Sequence, residues 1–105
     1  MTPRTILLGD RARPMPDLVL LDRKLPGIDG FEVLRRIGAD TCAGILPVVM
    51  LTSSIEERDV LASYRLGANS NIRKPIDFDE LLSVLEQLVR YWLALNQPPP
   101  PEMQP

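Results

Sequence analysis

The stretch that most constrains the fold is Leu18-Val19-Leu20-Leu21, four consecutive apolar residues followed at once by a carboxylate, Asp22. No polar residue alternates with the apolar ones, so both faces of this predicted strand should be buried, as in the centre of a parallel α/β sheet. In such sheets, ligands bind in the crevice outside the carboxyl ends of the strands. The position of Asp22 therefore predicts a functional carboxylate at one rim of the sheet.

Apolar runs and capping residues predict the other elements of a single α/β domain. Strands are expected over residues 4–8, 18–21, 45–51 and 70–73, and helices over residues 29–38, 54–67 and 77–96. The residues expected to face inward from the first two helices are Phe31, Leu34 and Ile37, then Val60, Leu61 and Tyr64. We assign residues 1–96 to the domain and residues 97–105 to a Pro-rich extended tail, with no effector domain expected.

Composition excludes several function classes. The net charge of −2 offers no basic field for nucleic acid, and no apolar run approaches the length of a membrane span. The chain has no histidine, so it supplies no histidine nucleophile, base or metal ligand. The lone cysteine, Cys42, cannot form an internal disulfide, which fits a reducing cytoplasm. We therefore expect a cytoplasmic protein.

The last predicted helix carries more apolar surface than one interface needs. An apolar stripe with 4-3-4-3 spacing consists of Leu81, Leu85, Leu88, Trp92 and Leu95. Three neighbouring apolar residues widen this stripe: Leu82, Val89 and Leu93. The helix either packs on the sheet alone or uses a second face for homodimerisation.

Three polar side chains follow three successive predicted strands: Asp22, Thr52 and Lys74. Each alone has an ordinary explanation, as a helix cap, a helix-entry residue or a solvated loop charge. Together they should meet in one crevice with complementary chemistry. A carboxylate accepts a phosphoryl group, a hydroxyl hydrogen-bonds a phosphoryl oxygen, and an ammonium neutralises charge during transfer.

These residues carry a resemblance to a known family. The segments concerned are residues 20–30 (LLDRKLPGIDG), 51–54 (LTSS) and 67–69 (GAN), with Lys74-Pro75. They are similar to the receiver domains of bacterial two-component response regulators, which have a flavodoxin-like fold. Residues 91–100 resemble the end of small stand-alone regulators that work with bacterial phytochromes.

The resemblance implies specific roles. Asp22 would be the phosphoacceptor, Thr52 the switch hydroxyl, and Lys74 the lysine that pairs with the phosphoaspartate. Mg²⁺ would be bound by Asp22 and the backbone carbonyl of Lys24, and the Lys74–Pro75 peptide would be cis. The phosphoryl donor would be a phosphohistidine on a partner histidine kinase, of phytochrome type by the same resemblance.

The chain departs from the family at its N-terminal side. The family's acidic pair after the first strand is missing, and only Asp10 could replace it as a metal ligand, so Mg²⁺ binding should be weak or absent. The first helix, second strand and second helix have no counterpart, which leaves about four strands in the order 1-3-4-5 with three helices. Residues 9–17 span at most about 30 Å and cannot hold a crossover helix. The first strand could therefore be parallel through a bare strap, antiparallel, disordered or donated by a second copy.

A substitution at Asn71 and the missing helix both affect the expected function. Asn71 stands where receivers carry an aromatic residue coupled to the switch hydroxyl, so the signal output on that face is in doubt. The missing helix leaves the last helix to cover one sheet face alone, which favours a homodimer through that helix.

We weigh three hypotheses. The first is a phosphorelay receiver, not an enzyme, that accepts a phosphoryl group on Asp22. The second is a shortened, metal-poor receiver that acts only as a dimerisation or protein-interaction module. The third, an aspartate-nucleophile phosphohydrolase, needs a second Asp where the chain has Lys24. A nucleotide-binding role is disfavoured too, because no Gly-rich phosphate loop follows an early strand.

Overall fold

The computed structural model describes residues 5–8, 16–40, 45–53 and 56–98. In chain order, the strands and helices are β1 (Thr5–Leu8), β2 (Leu18–Asp22), β3 (Lys24–Leu25), β4 (Ile28–Asp29), α1 (Gly30–Ala39), β5 (Val48–Thr52), α2 (Glu57–Arg65), β6 (Ser70–Arg73) and α3 (Phe78–Arg90). A π-helical turn, Tyr91–Leu95, continues α3. The main sheet has the order β1-β2-β5-β6, and β3 pairs with β4 in a small hairpin.

The two central strands divide the core into two layers. Alternate residues of β2 and β5 point to opposite faces, as strand geometry requires. Val19, Leu21, Val48 and Met50 pack under Leu34 of α1, while the intervening residues pack under Leu88 of α3. All of these side chains are at most 9% exposed. The prediction that both faces of the Leu18–Leu21 run are buried is confirmed, and the chain has the expected α/β architecture.

The first strand runs in the opposite direction to the rest of the sheet. β1 pairs antiparallel with β2, with Thr5 beside Leu21 and Leu8 beside Leu18, whereas β2, β5 and β6 are parallel neighbours. The expected strand order holds, but a parallel first strand is wrong, and the antiparallel alternative is confirmed. The reason is geometric: a parallel neighbour normally needs a long, usually helical crossover, whereas an antiparallel neighbour needs only a short return.

Helix α1 agrees with its sequence pattern, and α2 does not. Asp29 caps α1 by accepting a hydrogen bond from the Phe31 N–H, and Leu34 is buried as expected. In α2, Leu61 and Tyr64 are each 50% exposed, whereas Ser63 is fully buried. The predicted inward positions of Leu61 and Tyr64 are therefore wrong, and a polar side chain occupies the inner face of this helix. The predicted cap, Ser54, lies outside the described residues.

Among the described residues, α3 and the turn that continues it cover one face of the sheet, and a second apolar side of α3 stays exposed. Leu88, Val84, Leu85 and Trp92 contact the sheet. About a quarter turn away, Leu82, Val89 and Leu93 form an exposed apolar strip, with exposures of 45%, 38% and 42%. Within the described part of the chain, no helix has the length and apolarity needed to cross a membrane.

Candidate functional site

Asp22 and Lys74 meet at the carboxyl-end rim of the sheet. They are 52 residues apart in sequence, yet Lys74 Nζ donates to Asp22 Oδ2 at 2.7 Å. Asp22 Oδ1 accepts from the backbone N–H of Lys24 at 3.0 Å. The Asp22 side chain is only 12% exposed and that of Lys74 is 33% exposed. The carboxylate is thus held in one orientation by a charge-assisted bond and a backbone donor.

Thr52 lies at the same rim, at the end of β5. The Asp22 residue is beside Leu51 in the β2–β5 ladder. Beyond the strands, the Lys74 N–H donates to the Thr52 carbonyl at 2.6 Å, and the Arg23 N–H donates to the Leu51 carbonyl at 2.8 Å. The three strand ends are therefore tied together by backbone bonds. The structure brings Asp22, Thr52 and Lys74 to one rim, as their positions in the sequence predicted.

A close backbone contact between α1 and the end of β2 holds the carboxylate in place. The Gly30 N–H donates to the Arg23 carbonyl at 2.9 Å. A Cβ on Gly30 would lie 2.5 Å from the Asp22 carbonyl oxygen and 2.7 Å from that of Arg23. Between these segments, Pro26-Gly27 closes the β3–β4 hairpin, with Gly27 at φ +75°, as a turn of this kind requires. Only glycine at position 30 allows this approach.

Arg23 is a site residue that the sequence analysis did not single out. Its guanidinium carbon lies 3.8 Å from the centre of the Phe31 ring, and its Nη1 bonds Asp29 Oδ1 at 2.6 Å. Its Nε is buried without a hydrogen-bond partner among the described residues. Arg23 thus ties the segment after Asp22 to the first turn of α1 through Phe31 and Asp29.

A recess of about 230 Å³, including its open mouth, lies beneath the rim. Its lining side chains come from β2, α1, β5, α2 and β6 and the residues that adjoin them; they are Arg23, Phe31, Met50, Thr52, Asp59, Val60 and Asn71. Asn71, expected to be unsuited to an apolar slot, instead contacts the buried Ser63 of α2 at 2.7 Å. Ser63 carried no sequence signal, because a lone serine between apolar helix positions has no periodic pattern.

The loop after Lys74 differs from what the resemblance implied. No cis peptide bond occurs among the described residues, so the Lys74–Pro75 peptide is trans and the expected cis form is wrong here. The next side chain, Ile76, is fully exposed, and Phe78 is 69% exposed. The site is therefore bordered by exposed apolar side chains.

The described residues do not by themselves form a magnesium site. They contain no group of three or more histidine, cysteine or acidic side chains suited to hold a metal ion. Asp22 supplies one carboxylate, and Lys24 supplies a backbone carbonyl, whereas Asp10 lies outside the described residues. The strand after which the family's acidic pair would come, β1, ends at Leu8 beside Leu18, at the rim opposite Asp22. Among the described residues, Asp22 and the Lys24 carbonyl are too few ligands to hold Mg²⁺ on their own.

Comparisons with known proteins agree on one family. Residues 6–86 match the response regulator receiver domain. The chain is 39% identical over 89 residues to a probable methanogenesis regulatory protein, FilR2, of Methanothrix harundinacea; the match covers 85% of this chain and 57% of that protein. It is 40% identical over 80 residues to response regulator Rcp1 of Synechocystis, covering 76% of this chain and 54% of Rcp1. The chain thus spans a little over half of the length of these curated relatives.

Solved structures give the same result. The phosphorylated cyanobacterial phytochrome response regulator RcpA superimposes with a TM-score of 0.78 at 38% identity, covering 88% of this chain and 66% of that one. The Mn²⁺-bound form of Rcp1 gives a TM-score of 0.75 at 37% identity, covering 85% and 64%. With the family match extending over most of the chain and Asp22 and Lys74 paired at the sheet rim, this protein belongs to the response regulator receiver family and resembles the regulators that partner phytochromes.

Proposed function

We propose that the chain is a phosphorelay receiver that accepts a phosphoryl group on Asp22 from a phosphohistidine of a partner histidine kinase. The observation that carries this proposal is the 2.7 Å contact between Lys74 Nζ and Asp22 Oδ2 at the carboxyl-end rim. A carboxylate that is fixed, poorly hydrated and still reachable from the rim suits a nucleophile in phosphoryl transfer.

The transfer uses groups at the site in a simple sequence. A carboxylate oxygen of Asp22 attacks phosphorus, an O–P bond forms, and the P–N bond to the partner's imidazole breaks. The imidazole leaves with the electron pair and takes up a proton. Lys74 neutralises negative charge on the transferring group, and Thr52 supplies a hydroxyl donor from the neighbouring strand end.

The names of two similar structures support a proposal for the partner. RcpA is described as a cyanobacterial phytochrome response regulator, and another similar structure is a bacteriophytochrome response regulator, 44% identical to this chain. We therefore propose a phytochrome-type histidine kinase as the phosphodonor. Ile76 and Phe78, exposed beside Lys74, are suited to contact it.

The test is phosphorylation by a small phosphodonor, acetyl phosphate, with Mg²⁺, followed by phosphate-affinity electrophoresis. We expect a shifted band for the wild type and none for Asp22→Asn. Asp40→Asn, the same chemical change at the C-cap of α1 and away from the rim, is the matched control and should shift like the wild type. Equal mobility of the wild type and Asp22→Asn would contradict the proposal. Repeating the reaction without Mg²⁺ shows whether the metal is required.

A second candidate function is homodimerisation without phosphorylation, and the exposed α3 strip favours it. Leu82, Val89 and Leu93 lie on one side of the helix and line a broad groove with Leu85 and Ala94. Burying such a strip against a second copy would remove apolar surface from water. Light scattering after size exclusion, at micromolar concentration, should give a dimer. Val89→Lys should give a monomer, whereas Leu61→Lys, the control at an exposed position on α2, should remain a dimer. A monomeric wild type would contradict this candidate.

A further inference from the structure

Ser63 and Asn71 form a buried polar contact between α2 and β6, directly beneath the candidate site. Ser63 is fully buried. Its Oγ lies 2.7 Å from the Asn71 carboxamide and 2.9 Å from the Val60 carbonyl, one turn earlier in α2. Asn71 is beside Met50 in the β5–β6 ladder, so it points to the sheet face that α2 covers. Ser63 is fully buried, and Asn71 is partly buried with its Nδ2 atom enclosed, so these polar atoms need hydrogen-bond partners.

The number of available protons decides how they do so. A hydroxyl has one proton, so Ser63 donates either to Asn71 or to the Val60 carbonyl. If it donates to Asn71 Oδ1, then Nδ2 remains buried without a partner and the Val60 carbonyl receives nothing from Ser63. If Nδ2 faces Ser63, it donates to Oγ, and Oγ donates to Val60. Because an unsatisfied buried donor is costly and the two ends of a carboxamide are alike in shape, the second arrangement is favoured.

This arrangement turns Asn71 Oδ1 away from Ser63, and Asn71 also lines the recess. Arg23 lines the same recess, and its Nε is also buried without a hydrogen-bond partner among the described residues. The Phe31 ring and the Asp29 carboxylate hold its guanidinium in place. The enclosed part of the recess has room for about one water molecule. A single water would accept from Arg23 Nε and donate to Asn71 Oδ1.

We propose that Ser63 and Asn71 are positioning residues that couple α2 to the wall of the recess beside Thr52. The route runs from the Val60 carbonyl through Ser63 and Asn71 to a bridging water and Arg23, the residue that directly follows Asp22. Its role in signalling rests on the proposed phosphorylation of Asp22, because a change at that carboxylate would move Arg23 and be passed to α2. The hydrogen-bonded route itself does not depend on phosphorylation.

The route is tested first in the unphosphorylated protein by NMR. The Asn71 Nδ2 protons should show nuclear Overhauser contacts to the Ser63 Cβ protons and exchange slowly with water. In Ser63→Ala they should exchange about tenfold faster, the factor for losing one net hydrogen bond, and the Arg23 Nε–H resonance should shift. Ser83→Ala, a serine substitution at an exposed position of α3, is the matched control and should change neither signal.

Two results would overturn the proposal. One is contact of the Nδ2 protons with Arg23 rather than with Ser63. The other is an Arg23 resonance that is unmoved in Ser63→Ala, which would reduce the pair to packing between α2 and the sheet. Asn71→Leu, similar in shape but without polar atoms, should reproduce the Arg23 shift. If it does not fold, Ser63→Ala still decides the question.

A second measurement connects the route to signalling. On phosphorylation, the backbone amides of α2 should shift in the wild type. In Asn71→Leu, or in Ser63→Ala, Asp22 should still be phosphorylated, but the α2 shifts should be lost. Full α2 shifts in a phosphorylated variant would contradict the coupling. A wild type that takes up no phosphoryl group would contradict the proposed function alone, because the Ser63→Ala result without phosphodonor judges the route separately.

Discussion

Gly30 is the position where the smallest substitution should have the largest effect on the site. A Cβ at Gly30 would lie 2.5 Å from the Asp22 carbonyl oxygen, and 2.7 Å and 2.9 Å from the carbonyl oxygen and Cα of Arg23. All three are backbone atoms at the end of β2, so they cannot move aside as a flexible side chain would. The Gly30→Ala variant must therefore push the first turn of α1 away from the segment that carries the carboxylate.

Two effects of opposite sign set the magnitude. Replacing glycine by alanine in a helix gains at most about 1 kcal/mol. Overpacking costs about 1–3 kcal/mol, and the rigid backbone places Gly30→Ala at the upper end of that range. The expected net loss is about 2 kcal/mol in the free energy of unfolding. For a domain of this size, this loss in the free energy of unfolding corresponds to a fall in Tm of about 10 °C.

The assay is urea unfolding followed by circular dichroism, with Gly38→Ala as the matched control. Gly38 lies in the same helix, and its Cβ would meet only the Leu66 carbonyl oxygen at 3.2 Å. Gly38→Ala should therefore be within about 0.5 kcal/mol of the wild type or more stable. Phosphorylation of Asp22 in Gly30→Ala, at a temperature where it is folded, should slow about tenfold or more because the carboxylate is displaced. Equal stability of the two variants would refute the reasoning.

Three further predictions concern the ion pair, a surface carboxylate and the core. Lys74→Met should cost about 1–3 kcal/mol in urea unfolding, because it leaves a largely buried carboxylate without its ammonium, and Lys74→Arg should lose less. Hydrogen bonds from Arg35 and then Arg36 lower the pKa of Glu32 from 4.5 to about 2. The ionised Glu32 therefore stabilises the fold fully above pH 4.5, and this contribution is lost as the pH falls through about 2. A carboxyl NMR titration of Glu32 with a midpoint near 4.5 would contradict this. Leu88→Ala should destabilise the fold by about 2–4 kcal/mol, whereas Val89→Ala, at the exposed neighbouring position, should cost under about 1 kcal/mol, as measured by thermal unfolding.

The two faces of the central strands carry different helices. Among the described residues, Leu34 of α1 packs on one face, and Leu88 of α3 packs on the other. Leu82, Val89 and Leu93 of α3 remain exposed beside the second face.

The sequence alone determined the central layer of the fold and the composition of the rim. Unbroken apolar runs such as Leu18–Leu21 and Val48–Leu51 can only be buried on both faces, and polar residues that directly follow parallel strands must share one edge. Asp22 and Lys74 could therefore be placed together from their positions after those runs, before any contact was known.

The tertiary structure decided the features that depend on how separate segments meet. The direction of β1 is set by its backbone pairing with β2, which the apolar pattern of Thr5–Leu8 does not specify. The inward position of Ser63 and its contact with Asn71 depend on partners from two elements, and a lone polar residue leaves no periodic signal. The setting of Arg23 over Phe31 likewise arises only when α1 packs against the end of β2. Unbroken apolar runs specify which strands are buried, whereas packing between distant segments specifies which side of a helix such as α2 faces inward and what its residues contact.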